Sequence, residues 1–170
     1  MLGASPKRKE DARLLAGAGR FVEDIERAGT ARLGVVRSLH AHARFTVSLG
    51  AVRRRPGVLA AWSAADLGGL ARAIPAAWGG SHKGKPFAVP LLATERARYV
   101  GEPLAVVVAE DAHRLADALE AVAVEYEPLP PLSTTDTALE SSTRVHEGGS
   151  DNRTRPVGAT IGDGATAFAR

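Results

Sequence analysis

The 170-residue chain predicts an α/β (α+β) domain with a mixed sheet, and three observations within one stretch predict it. Residues 104–109, Leu-Ala-Val-Val-Val-Ala, form an uninterrupted apolar run opened by the turn Gly101-Glu102-Pro103. Six residues are few for a helix and suit a strand buried on both faces. Asp111 then caps a helix over 112–121, its carboxylate accepting free backbone N–H groups of the first turn. Ala112, Leu115, Ala116, Leu119 and Val122 share one face of that helix, and His113, Arg114, Asp117 and Glu120 the other. Glu110 and Arg114 lie four apart in the favourable acid-first order. After Ala121 the period becomes two, with Val122, Val124 and Tyr126 on one side and Glu125 and Glu127 on the other. Pro128, Pro130 and Pro131 stop the run, because proline cannot donate to a ladder. Strand, helix and strand over about 104–127 are expected to make a direct crossover, parallel and right-handed.

The rest of the chain supplies shorter elements in order. Residues 10–16 read as a helix ended by Gly17 and Gly19, and Arg20-Phe21-Val22 as an edge strand. A turn at Gly29-Thr30 leads into a strand over 31–38. Residues 44–49 alternate strictly, with Phe45, Val47 and Leu49 on one face, the pattern of a half-buried strand. A helical turn over 51–55 closes at Pro56-Gly57, and 58–62 returns as a strand ending in Trp62, which is expected in the core. Ser63-Ala64-Ala65-Asp66 resembles a capping box with aspartate in place of glutamate, so a short helix starts there. Residues 67–90, with Trp78 and Ser81-His82-Lys83-Gly84-Lys85, read as a long surface loop of the kind that contacts a partner. Residues 132–155, rich in serine, threonine and glycine, read as extended chain over the surface.

Composition excludes several chemistries. Cysteine is absent, which removes disulfides, thiolate zinc sites and cysteine nucleophiles together. Residues 1–11 are too polar and basic for a signal peptide, and no apolar run approaches the ~18 residues of a membrane span, so a cytoplasmic protein is expected. In that setting the glycosylation triplet Asn152-Arg153-Thr154 carries no weight. The net charge is only +3, and only Lys7-Arg8-Lys9 and Arg53-Arg54-Arg55 cluster. Backbone binding to nucleic acid needs a concentrated cationic stripe, so neither nucleic acid nor membrane is the expected partner.

Several stretches together resemble one family. Residues 8–24 (Arg-Lys-Glu-Asp-Ala-Arg-Leu-Leu-Ala-Gly-Ala-Gly-Arg-Phe-Val-Glu-Asp) are similar to the opening of the large, molybdopterin-binding subunit of molybdenum hydroxylases. That group contains xanthine dehydrogenase, aldehyde oxidase and aerobic carbon monoxide dehydrogenase. Val36-Arg37-Ser38-Leu39-His40-Ala41-His42-Ala43-Arg44 resembles a family signature that usually has proline where this chain has Leu39. Pro56-Gly57-Val58, Ala65-Asp66-Leu67, Tyr99-Val100-Gly101-Glu102-Pro103 and Val124-Glu125-Tyr126-Glu127-Pro128-Leu129-Pro130 follow in the family's order, and Gly162-Asp163 with Ala167-Phe168 resembles its exit from this domain. The resemblance implies an α/β hammerhead domain over 1–150, with 151–170 as the start of the connection to a molybdopterin-binding domain. It implies molybdopterin for the full-length subunit, none bound by this chain, and iron–sulfur and FAD subunits as partners. The family's cofactor contacts and catalytic glutamate lie in a continuation that no position here matches, so the chain reads as a fragment or a separately encoded piece, without its own active site.

Candidate sites are weighed against packing. On a strand His40 and His42 would face one side, a metal-ligand spacing, but no third ligand is evident, because His82 and His146 sit in loops. Structural packing or a hydrogen-bonding role is expected for the pair. Ser38, His40 and Asp66 assemble a triad only on paper, since no nucleophile elbow is present. Gly17-Ala18-Gly19 lacks the third glycine and the preceding strand of a dinucleotide loop. Glu102, Glu125 and Glu127 are the acid–base candidates, although a strand's solvent face accounts for the last two. Arg37, His40, His42, Trp78 and Phe168 are the expected interface residues of a structural module. The alternatives are an independent enzyme with a carboxylate or histidine site, and a small basic module for nucleic acid.

Overall fold

The computed structural model describes residues 3, 5–25, 27–70, 74, 89–146 and 151–153, and the chain forms two units, 1–31 and 32–170. In the first unit α1 (Asp11–Leu15) forms where expected. Its end is closed by the Gly17 N–H on the Leu14 carbonyl (3.1 Å) and the Ala18 N–H on the Arg13 carbonyl (3.0 Å), a Schellman pair. The edge strand expected at 20–22 is replaced by a 3-10 turn, Val22–Asp24. The Asp24 carboxylate takes the Phe21 N–H at 2.8 Å, a local bond that competes with any ladder.

Among its described residues the second unit holds six strands: β1 (Arg32–Arg37), β2 (Ala43–Ser48), β3 (Val58–Ser63), β4 (Arg96–Ala97), β5 (Pro103–Ala109) and β6 (Ala123–Pro128). Its helices are α2 (Ala64–Leu67), α3 (Ala112–Glu120) and α4 (Thr135–Glu140). The strands form two three-stranded sheets, in the orders β1-β5-β3 and β4-β2-β6. The chain therefore changes sheet at every step, and no strand pairs with its successor. All four pairings among these strands are antiparallel.

This corrects the expected crossover. The α/β class holds, as does strand–helix–strand over 104–127, but β5 and β6 are neither parallel nor in one sheet. Both edges of β5 are taken, by β1 and β3. β6, with glutamates on one side, pairs instead with β2, whose pattern alternates likewise: Arg44 lies across from Glu127, Phe45 from Tyr126 and Thr46 from Glu125. Like faces are thereby matched, apolar inward and charged outward.

α3 packs on one face of the β1-β5-β3 sheet. Asp111 caps it as expected, accepting the Arg114 N–H at 2.8 Å. The buried stripe runs through Leu115, Ala118 and Leu119, with Ala112 and Ala116 left exposed, a rotation from the face read in the sequence. Gly34 allows the close approach: a Cβ there would lie 2.8 Å from Leu119 Cδ1 and 3.0 Å from Leu115 Cδ1. Leu49, Val52, Ala61, Ala105 and Val107 complete this core. A second core gathers Phe45, Ala93, Ala97 and Leu104. Trp62, expected inside, lies exposed on β3. Residues 132–155 are not all extended, because Thr134 caps α4, accepting the Thr137 N–H at 3.1 Å. Trp78, His82 and Phe168 lie outside the described residues, as do most of the 67–90 loop and the exit segment. Among the described residues no helix is long and apolar enough to cross a membrane.

Two predictions concern this architecture. Val107→Asp places an unpaired carboxylate against α3 and should lower unfolding free energy by at least ~3 kcal/mol in urea titration, whereas Val106→Asp, on the half-buried opposite face, should cost clearly less. Equal losses would show that both faces are closed. At α2 the Asp66 carboxyl is held down to about 2 by bonds from the Ser63 hydroxyl and N–H, and then by Arg53. A depressed carboxyl stabilises above its unfolded value near 3.8 and loses that contribution as pH falls through about 2. Asp66→Asn should therefore flatten the melting-temperature profile in that acid window and leave its shape near neutrality unchanged.

Candidate functional site

The two signature stretches 36–44 and 99–103 meet at one end of β1 and β5. After β1 the chain does not continue as strand but bends, and the Ser38 side chain directs the bend. Its hydroxyl donates to the His40 carbonyl (2.9 Å) and accepts the His40 N–H (3.1 Å), a local turn that ends the ladder. The Ser38 backbone joins the facing segment: its N–H donates to the Glu102 carbonyl (2.9 Å), and its carbonyl accepts the Gly101 N–H (2.8 Å). Arg37 Nη1 adds a third bond, to the Gly101 carbonyl at 2.9 Å. Gly101 sits at φ +91°, a conformation that disfavours any side chain.

Beneath this knot lies a buried charge. Glu102 is 2 % exposed, and its carboxylate accepts both the Arg98 backbone N–H and Arg98 Nη1, the latter at 3.0 Å. Arg98 also reaches the Arg96 carbonyl (3.3 Å). His146 approaches the same pair: burial and then the Arg98 charge push its imidazole below the ordinary histidine range, against the opposing pull of Glu102.

The two signature histidines part company, because 39–42 is a bend rather than a strand. His42 is buried, and its Nδ1 lies 2.8 Å from the Pro130 carbonyl, which can only accept, so the proton sits on Nδ1. Its backbone carbonyl takes the Leu129 N–H at 2.9 Å. His40 instead lies against the Tyr126 ring, centroids 4.5 Å apart, while the Tyr126 hydroxyl accepts the Leu39 N–H at 3.3 Å. The two rings do not share a face, and of the expected packing or hydrogen-bonding roles His42 takes the hydrogen bond and His40 packs on Tyr126.

Several polar side chains near the knot are engaged with the chain itself. Ser38 Oγ is buried and engaged with the backbone, and Asp66 is bonded to Ser63 and Arg53, so the paper triad is not assembled. Glu102 is ion-paired, and Glu125 and Glu127 line a shallow open cleft with Arg44, Phe45, Thr46, Glu95 and Tyr126. Among the described residues no three histidine, aspartate or glutamate side chains gather as metal ligands. Arg37 and Arg98 direct guanidinium donors to the Gly101 and Arg96 carbonyls and to Glu102.

What the knot does present is apolar. Leu39 is 80 % exposed and Val100 62 %, and Tyr99 is exposed beside Val100, on segments the knot holds together. The sequence singled out Arg37, His40 and His42 but not Arg98, Tyr126 or the burial of Glu102. Nothing in the order of the two signatures indicated that they meet.

Comparison with known proteins places these features. The family model described as "Aldehyde oxidase and xanthine dehydrogenase, a/b hammerhead domain" matches residues 16–130. The nicotine 6-hydroxylase large subunit of Paenarthrobacter nicotinovorans is 35% identical over 176 residues, covering 99% of this chain and 21% of that protein. The carbon monoxide dehydrogenase large chain of Afipia carboxidovorans is 36% identical over 140 residues, covering 82% of this chain and 17% of its own. Among solved structures, quinoline 2-oxidoreductase from Pseudomonas putida 86 superposes with a TM-score of 0.74 at 35% identity, over 88% of this chain and 19% of that one. The chain spans about a fifth of the length of the relatives it matches.

Two tests address the knot. Glu102→Ala and Glu102→Gln both leave the Arg98 guanidinium without its counter-ion, and the glutamine amide sets an NH2 against one of the two Arg98 donors, so each should cost about 3–5 kcal/mol. Denaturant titrations showing both variants equally harmless would remove the buried pair from the account. His146, with its pKa lowered on folding, binds its proton more readily unfolded, so stability should fall as pH drops through and below the ordinary value near 6.5. His146→Gln should remove that slope.

Proposed function

We propose that this chain, which belongs to the aldehyde oxidase and xanthine dehydrogenase a/b hammerhead family, serves as the structural hammerhead module of a molybdenum hydroxylase large subunit. The observation that carries the reading is the knot: it fixes the two segments that bear the exposed side chains of Leu39, Tyr99 and Val100, which we read as one apolar tip. A tip of exposed aliphatic and aromatic side chains on a rigid base suits docking. Arg37 and His40 form the polar rim of that contact, and His42 braces it from within. In this reading 1–150 is the module and 151–170 begins its connection. The partners are the molybdopterin-binding domains of the same subunit, with iron–sulfur and FAD subunits beyond. Molybdopterin is held by those domains.

The alternative readings lack a comparable observation. His42 is tied to the Pro130 carbonyl and Glu102 to Arg98, and among the described residues no three histidine, aspartate or glutamate side chains gather as metal ligands. Of the Arg53-Arg54-Arg55 cluster, Arg53 is spent on Asp66 (2.7 Å) and on the Ala61 carbonyl (3.0 Å), which weakens any cationic stripe.

A chimaera tests the proposal. This chain should replace the matching fifth of the nicotine 6-hydroxylase large subunit and yield a soluble, monodisperse large subunit. Leu39→Asp with Val100→Asp should leave the melting temperature of the 170-residue chain within a few degrees yet lower the yield of assembled chimaera about ten-fold. A doubly substituted chimaera that assembles normally would remove the tip from the interface.

A further inference from the structure

The two sheets are built for different surroundings. The outward face of β4-β2-β6 carries Arg44, Thr46, Glu125 and Glu127, side chains that suit water. β5 has no polar residue from Pro103 to Ala109, and a strand of that composition is one covered on both faces. α3 covers the face bearing Gly34, Ala61, Ala105 and Val107. On the opposite face, among the described residues, only the Leu104 end is closed, by Phe45, Ala93 and Ala97. Beyond it two cross-strand rows remain, Val35–Val106–Trp62 and Leu33–Val108–Ala60. Leu33 is 60 % exposed there and Trp62 39 %, and the valines are half-buried.

Resting on the module reading above, we propose that this open face of β1-β5-β3 is a second docking surface, occupied by a segment of the same large-subunit polypeptide outside this domain. Size chooses the occupant. Two rows of three side chains amount to an apolar patch of a few hundred Å². A stable complex of separate molecules needs about 800 Å² on each partner, which this patch falls short of supplying to a second copy. Interfaces between domains of one chain are sufficient at about 600–1,500 Å² in total, because the tether raises the effective concentration to the millimolar range or so. The relatives carry such a tethered excess, since the matched region is about a fifth of their length. Trp62 is the anchor: a large ring with an N–H to place is the side chain that dominates such contacts.

Hydroxyl-radical footprinting of the 170-residue chain and of the chimaera tests this. Oxidation of Trp62 and Leu33 should fall at least about five-fold in the chimaera. Leu33→Lys with Trp62→Lys should leave the melting temperature of the isolated chain within a few degrees but reduce assembled chimaera about ten-fold; Thr46→Lys with Glu125→Lys, on the other sheet, should do neither. A folded chimaera in which Trp62 is labelled as in the isolated chain overturns this surface and leaves the module reading standing. A chimaera that never assembles, while the 170-residue chain folds, overturns the module reading and this surface with it. Protection of Trp62 in the isolated chain, with a sedimentation-detected dimer abolished by the lysine pair, makes the occupant a second copy and also overturns the proposal.

Discussion

The Glu102 carboxylate is withdrawn from water at the entrance to β5, and much of the domain is arranged to make that tolerable. An isolated buried carboxylate costs several kcal/mol, so it needs donors held at short range. Arg98 supplies two of them, one from its backbone and one from its guanidinium, which fixes the path of 98–102. That path presents the Glu102 carbonyl and the Gly101 N–H to Ser38. The bend of 38–42 follows, and with it the placement of His42 against Pro130 and of β2 beside β6. One buried charge thus connects the ends of both sheets.

The sheets answer the solvent in opposite ways. β2 and β6 pair residue for residue with polar side chains outward, an arrangement an antiparallel sheet can keep with one face wet. β5 has only apolar side chains to offer its two faces, and α3 satisfies one of them, with Gly34 removing the bulk that would hold the helix away. Among the described residues the other face keeps Leu33 and Trp62 exposed, so the two sheets meet water with different side chains.

Local signals were legible because their partners lie within a few residues. Asp111 over Arg114, Ser63 with Asp66, and Gly17 closing α1 all act as read. Strand pairing was not legible: β5 looks like the first half of a crossover until β1 and β3 are known to occupy both its edges. The Ser38 hydroxyl, turning a would-be strand into a bend, separated His40 from His42 in a way that alternation could not foresee. In α4 the Thr134–Thr137 cap outweighed a composition that reads as coil. The motif order identified the family, yet it carried no information on which strands pair, since signatures that touch in space are sixty residues apart in sequence.

The Asn152 amide shows what a sequence motif loses on folding. Its Nδ2 donates to the Thr143 carbonyl (2.8 Å) and the Ala138 carbonyl (3.0 Å), and its Oδ1 accepts the Val145 N–H (3.1 Å). The alternation of strands between sheets has a comparable consequence for the nascent chain. β1, β2 and β3 are all made before any strand they pair with, so each leaves the ribosome with both edges unsatisfied. The first sheet cannot close until β5 has emerged, some seventy residues after β1, and the second waits for β6. At about 5–20 residues per second, the aliphatic strands β1 and β3 spend several seconds as open edges. A chaperone that shields such edges would act on this domain before its midpoint has been translated, and translation speed through 64–102 becomes a determinant of its yield.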